Sequence, residues 1–78
     1  DLFKDSKSAL QEALQKNNIE FPHYNLIKTK GEQHEQTFEV ECTVSSLKLV
    51  TNGTGKSLKI AEQQAAEKAL EIFLKNDA

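Results

Sequence analysis

Asn52-Gly53-Thr54-Gly55-Lys56-Ser57-Leu58-Lys59-Ile60-Ala61-Glu62-Gln63-Gln64-Ala65-Ala66-Glu67-Lys68-Ala69-Leu70 opens with two closely spaced glycines and runs into the longest helical pattern in the chain. The glycines allow backbone conformations that other residues avoid, so Asn52 to Gly55 reads as a loop. Ser57 is a good N-cap, because its side-chain oxygen can accept an orphan amide of the first turn. From Ser57 to Lys75, Ala61, Ala65, Ala69 and Phe73 form one row, with Ala66, Leu70 and Leu74 in the next. Small residues in such rows let a helix approach a sheet or another helix closely. Lys56 and Lys59 flank the cap. A helix N-terminus carries partial positive charge and unpaired amides, so lysines there repel the dipole and a bound phosphate would offset that cost. The stretch therefore points to a polyanion.

Upstream, Phe38-Glu39-Val40-Glu41-Cys42-Thr43-Val44 alternates without a fault. Phe38, Val40, Cys42 and Val44 share an apolar face, and the intervening residues face water, which is the pattern of a sheet solvated on one side. Ser45-Ser46 is a short turn, so Leu47 to Thr51 is expected to pair antiparallel with it. Tyr24 to Lys30 reads as an earlier strand, with Tyr24 and Leu26 on one side, followed by a polar loop from Lys30 to Gln36. Ser6 can cap a first helix over Lys7 to Lys16, whose apolar residues are Ala9, Leu10, Ala13 and Leu14. Asn17-Asn18 ends it, since Asn tolerates the left-handed conformation. Ile19 and Phe21 return toward the core, and Pro22 prevents the helix from resuming. The expected fold is α+β, in the order α-β-β-β-α: a three-stranded antiparallel sheet with two helices packed on one face. Residues 1–5 read as a linker or tail, 6–75 as one domain, and 76–78 as a C-terminal tail.

The chain has 78 residues, 37% hydrophobic and 28% charged, ordinary values for one small soluble domain. A chain of this size buries only about 60% of its unfolded surface, so the core must be compact. No apolar run approaches the ~20 residues that span a bilayer, and no signal-peptide pattern is present. One cysteine rules out an internal disulfide and suits a cytoplasmic setting. The net charge of −2 argues against nucleic acid, but its distribution does not. No acidic residue lies between Glu41 and Glu62, where Lys48, Lys56 and Lys59 stand, while acids gather at Glu32, Glu35, Glu39, Glu41, Glu67 and Glu71. Such a chain can present a local positive field.

Catalytic constellations are absent from the pattern. His23, His34 and Cys42 lack zinc-ligand spacing. Glu39 and Glu41 could in principle hold Mg²⁺, but a solvated strand face accounts for them. Cys42 alternates with core residues and reads as a structural thiol. Ser57 has no nearby base and reads as a cap. Gly53 to Ser57 lacks the glycine spacing of a nucleotide-binding loop, and there is no room for a parallel sheet. Contact with a polynucleotide backbone remains open, against a reading of Lys56 and Lys59 as ordinary solvated lysines.

Taken together, Lys7-Ser8-Ala9-Leu10-Gln11-Glu12, Pro22-His23-Tyr24, Gly31 with His34, Thr37-Phe38-Glu39-Val40-Glu41, and Gly53-x-Gly55-x-Ser57 leading to Ala61-Glu62-Gln63-x-Ala65-Ala66 resemble a double-stranded-RNA-binding domain. The chain is most similar to the C-terminal domain of bacterial ribonuclease III. The pieces cover nearly the whole chain in order. The resemblance implies three RNA contacts: Ser8, Gln11 and Glu12 of the first helix in a minor groove, His34 and its neighbours in the next, and Lys56, Ser57, Lys59 and Gln63 across the major groove between them. It implies recognition by shape over about 16 base pairs, with Glu12 accepting hydrogen bonds from 2′-hydroxyls. Leu58 and Glu62 stand where many members carry lysine, and Glu32 where proline is common, which implies modest affinity. The resemblance further implies a longer parent: a homodimeric, metal-dependent endoribonuclease that processes rRNA and mRNA, with Mg²⁺ in a nuclease domain outside this chain. No catalytic site, metal or cofactor is expected within the chain, and no membrane partner. A stand-alone RNA-binding module, or a degenerate domain making protein contacts through residues such as Leu58, are the alternatives.

Overall fold

The computed structural model describes residues 5–76; of the tails expected at 1–5 and 76–78, residues 1–4 and 77–78 lie outside the described residues, whereas Asp5 caps the first helix and Asn76 ends the last, so both belong to the domain. The order is α1 (Ser6–Lys16), β1 (His23–Lys30), β2 (Thr37–Val44), β3 (Leu49–Gly55) and α2 (Leu58–Asn76), with a short 3₁₀ turn at Ser45–Leu47. The strands form one antiparallel sheet in the order β1-β2-β3. This is the α-β-β-β-α arrangement that the apolar patterns imply. Both helices lie on one face: α2 crosses β2 and β3, and α1 leans chiefly against α2.

The alternation of β2 sets the core. Val40, Cys42 and Val44 are buried, and with Leu10, Leu14, Ala65, Ala66, Ala69 and Phe73 they make the apolar centre. Tyr24 opposes Cys42 in the ladder and packs at its margin. Burial pushes the Cys42 thiol up, away from a reactive thiolate, which fits a structural thiol. Burial also raises the Tyr24 hydroxyl well above its ordinary value. The register slips between Leu26 and Lys28, so the far half of β1 continues through a bulge.

Several local expectations are corrected. Asn52 to Gly55 is strand, not loop, because β3 runs to Gly55 opposite Phe38, and Leu47 belongs to the preceding 3₁₀ turn. The glycines serve proximity rather than unusual dihedrals. A Cβ on Gly53 would lie 2.2 Å from the Ala61 carbonyl oxygen and 2.4 Å from the Ala65 amide. Only Gly31, in the β1–β2 loop, has a positive φ among the glycines, at 95°. The cap of α1 is Asp5, and Ser6 is its first, buried residue. Phe21, Leu26 and Leu74 are exposed rather than core residues. The helix end does follow the reading: Asn18 takes the left-handed conformation at φ 57°, and the Ile19 amide reaches back to the Leu14 carbonyl at 2.9 Å.

Polar bonds fasten α2 to β3. The Thr51 hydroxyl donates to the Ala65 carbonyl at 2.7 Å, the Thr54 amide donates to Gln64 Oε1 at 2.7 Å, and Lys68 Nζ donates to the Asn52 carbonyl at 2.9 Å. Gln64 thus occupies an edge-strand amide that would otherwise be open to another chain. A Gly53→Ala substitution must push α2 off the sheet. It is expected to cost about 1–3 kcal/mol or more, the range for overpacking, read as a lower midpoint in urea denaturation.

Candidate nucleic-acid interface

The two helix N-termini end up side by side, but their amides are treated differently. At α1, Asp5 accepts from the Ser8 amide at 3.1 Å, and Gln63 Oε1 from α2 accepts from the Ser6 and Lys7 amides at 2.7 and 3.1 Å. The Ala9 amide donates to the Asp5 carbonyl at 3.1 Å. Every donor of the first turn is therefore taken inside the protein, and none is left for an anion. At α2, Ser57 Oγ accepts from the Ile60 amide at 3.1 Å and the Ser57 carbonyl from the Ala61 amide at 3.0 Å, which makes Ser57 the cap. The Leu58 and Lys59 amides are left open among the described residues, beside the side chains of Lys56 and Lys59. This is the end at which the dipole and free amides favour a phosphate.

Asp5, Lys7, Ser8, Gln11, Lys59 and Gln63 line one open depression, joining the start of α1 to the start of α2. His34 and Lys56 line a second, with Phe38 and the loop residues 33–36. The structure therefore brings Ser8, Gln11, Lys59 and Gln63 together, and pairs His34 with Lys56. Glu12 is exposed one turn beyond Ser8 on α1 and lines neither depression. Gln63 is committed to locking α1 against α2: besides the two amides it accepts, its Nε2 donates to Asp5 Oδ1 at 3.1 Å. Among the described residues, no group of three or more His, Cys, Asp or Glu side chains converges as metal ligands would.

Two residues of this surface were not expected from the sequence. Asp5 supplies the cap, and hydrogen bonds from Ser8 and then Gln63 hold its carboxyl below the ordinary 3.8, with the Lys59 charge adding to the effect. The Asp5-Ser6 pair offered two capping residue types in succession, and only the burial of Ser6 against α2 decides between them. Lys7 donates to Glu62 Oε1 at 2.6 Å and lies 4.9 Å from the Tyr24 ring centroid. Half-exposed pairs of this kind add at most about 1 kcal/mol. The pair sets the Glu62 charge beside a positive one, so the two together add no net charge at this end.

Because the Asp5 value is lowered on folding, its contacts stabilise α1 fully above pH 3.8 and are lost as pH falls through the lowered native value. An NMR titration is expected to give an Asp5 midpoint below 3.8, with protection of the Ser8 amide falling over the same window.

Comparison with known proteins gives a consistent result. The family model described as "Double-stranded RNA binding motif" matches residues 6–72. Ribonuclease 3 of Hahella chejuensis is 49% identical over 70 residues, covering 90% of this chain and 31% of that protein. Ribonuclease 3 of Cupriavidus necator is 53% identical over 70 residues, covering 90% of this chain and 27% of that protein. The chain thus spans less than a third of the length of these curated relatives. The solved structure of Arabidopsis HYL1 superposes with a TM-score of 0.76 at 32% identity, covering 91% of this chain and 99% of that one.

Proposed function

The chain belongs to the double-stranded RNA binding motif family, homologous to the corresponding domain of ribonuclease III, and from that premise we propose that it is the substrate-holding part of a ribonuclease III. In that reading it grips duplex RNA by shape, and a separate nuclease domain of the same polypeptide hydrolyses the strands with Mg²⁺. The parent is a cytoplasmic homodimer, joined through the nuclease domain, that acts in rRNA and mRNA processing.

The observation that carries the reading is the open α2 N-terminus between the two depressions. Lys56 and Lys59 stand at an end whose first amides are unspent, and each lysine lines a different depression. A-form RNA has a major groove too narrow to enter and a wide minor groove lined with 2′-hydroxyls. A central phosphate clamp with a polar surface on either side suits that shape. Ser8, Gln11 and Glu12 of α1 take one minor groove, the His34 loop takes the next, and Lys56, Ser57 and Lys59 clamp phosphates between them. Gln63 contributes by holding α1 in place, so its loss would disturb the spacing of the contacts rather than remove one. Exposed Leu58 and the paired Glu62 leave few positive charges at the clamp, which supports modest affinity.

The test is a gel-shift comparison of duplex RNA, duplex DNA and single strands. Duplex RNA is expected to bind selectively, and Lys59→Glu to abolish the shift. Lys59→Ala is expected to lower the slope of log affinity against log salt by about 1, the effect of losing one phosphate contact. Absence of selective binding to duplex RNA would instead favour a protein-contact domain using Leu58. Incubating the chain with duplex RNA and Mg²⁺ is expected to leave the RNA intact; genuine cleavage would overturn the assignment of catalysis to a separate domain.

A further inference from the structure

Asp5 does more than cap α1. Its carboxylate takes two hydrogen bonds from one residue: the Ser8 amide at 3.1 Å and the Ser8 hydroxyl at 2.8 Å. Gln63 Nε2 adds a third at 3.1 Å and fixes the carboxylate from the α2 side. An ionised carboxylate has no proton to give, so in the Ser8–Asp5 bond the serine must donate. A serine hydroxyl has one proton and two lone pairs. With the proton held by Asp5, Ser8 turns only lone pairs toward the depression it shares with Gln11 and Lys59. We propose that Asp5 is a positioning residue for nucleic-acid discrimination: it fixes the Ser8 hydroxyl as an acceptor, which a ribose 2′-hydroxyl can satisfy and a deoxyribose or a phosphate cannot.

The chemistry of the candidate ligands is asymmetric at this point. A 2′-hydroxyl is both donor and acceptor, and DNA lacks it. A phosphate oxygen only accepts, so it meets the Ser8 lone pairs and the Asp5 charge without a proton between them. A free serine hydroxyl would rotate to donate to phosphate and would serve RNA and DNA alike. Asp5 and Lys59 line the same depression, so the carboxylate offsets part of the Lys59 charge there. Asp5 therefore lowers phosphate attraction at this edge while favouring a hydroxyl donor. The clamp at the α2 N-terminus supplies affinity, and the Asp5–Ser8 pair supplies selectivity. The inference rests on the duplex-RNA reading above.

The test uses the full 78-residue chain with RNA and DNA duplexes of the same sequence. Asn caps a helix about as well as Asp, so Asp5→Asn keeps α1 in place, which circular dichroism checks. It frees the Ser8 proton and removes a charge beside Lys59. The RNA-to-DNA affinity ratio is expected to fall about fivefold, the worth of one hydrogen bond, through a gain in DNA affinity rather than a general loss. In a Ser8→Ala background the same substitution is expected to leave the ratio unchanged. A purely structural cap would weaken both duplexes together, with or without Ser8. A ratio unmoved by Asp5→Asn, or moved equally in the Ser8→Ala background, overturns the inference alone. A wild-type chain with no preference for duplex RNA overturns the functional reading and this inference with it.

Discussion

The close approach of α2 to β3 at Gly53 is the constraint from which the rest of the molecule follows. With no side chain at Gly53, the backbones of Ala61 and Ala65 come nearer than any Cβ would permit. The alanine row on α2 and the glycine on β3 are two halves of one contact. Thr51 and Gln64 then spend their polar atoms across the gap, so the helix can neither slide nor roll. Interiors packed at this density have few intermediate positions. Once α2 is placed, Gln63 is placed, and with it the start of α1. The spacing between the first-helix surface and the α2 clamp is thereby inherited from a contact on the opposite side of α2.

The paired helix ends show how one polar network can close one site and leave another open. Both begin with a conventional cap, Asp5 or Ser57. Only α1 has a glutamine from the neighbouring helix covering its remaining amides. Among the described residues, the helix-end amides left open at this surface are those of α2. Selectivity between two adjacent helix ends is thus achieved by occupying the wrong one, which needs no extra charge. The Lys7–Glu62 pair likewise joins the start of α1 to α2, with the two opposite charges answering each other within the protein.

Much of this was legible in the sequence, for identifiable reasons. The flawless alternation of Phe38 to Val44 could only be a strand with one buried face, and the alanine rows marked the packed side of α2. Ser57 declared itself as a cap by type and position. What escaped the reading depended on tertiary neighbours. Glycines at 53 and 55 signal a loop on local grounds, yet here they are strand residues flattened for a helix lying over them. That Asp5 rather than Ser6 caps α1 depends on tertiary burial, since Ser6 is enclosed where its amide meets Gln63 of α2. Gln63 carries no mark that separates a residue touching a ligand from one bracing a neighbouring helix, and its two accepted amides come from residues more than fifty positions away. Periodicity reports which side of an element faces inward; it does not report what the outward polar groups will meet.

The separation of charge noted along the chain acquires a geometric meaning in the fold. Lys56 and Lys59 lie at the N-terminal end of α2, whereas Glu39 and Glu41 stand on the sheet side turned away from both helices, with Glu39 held by Asn52 at 3.0 Å. The slight negative excess is therefore not carried by the start of α2 alone. In physiological salt, where fields decay over about 8 Å, the excess is hardly felt by a distant polyanion. Within that range the local charges decide, and a polyanion at the start of α2 meets Lys56 and Lys59 rather than Glu39 and Glu41. A slight overall negative charge is therefore no obstacle to an anion that arrives at that end.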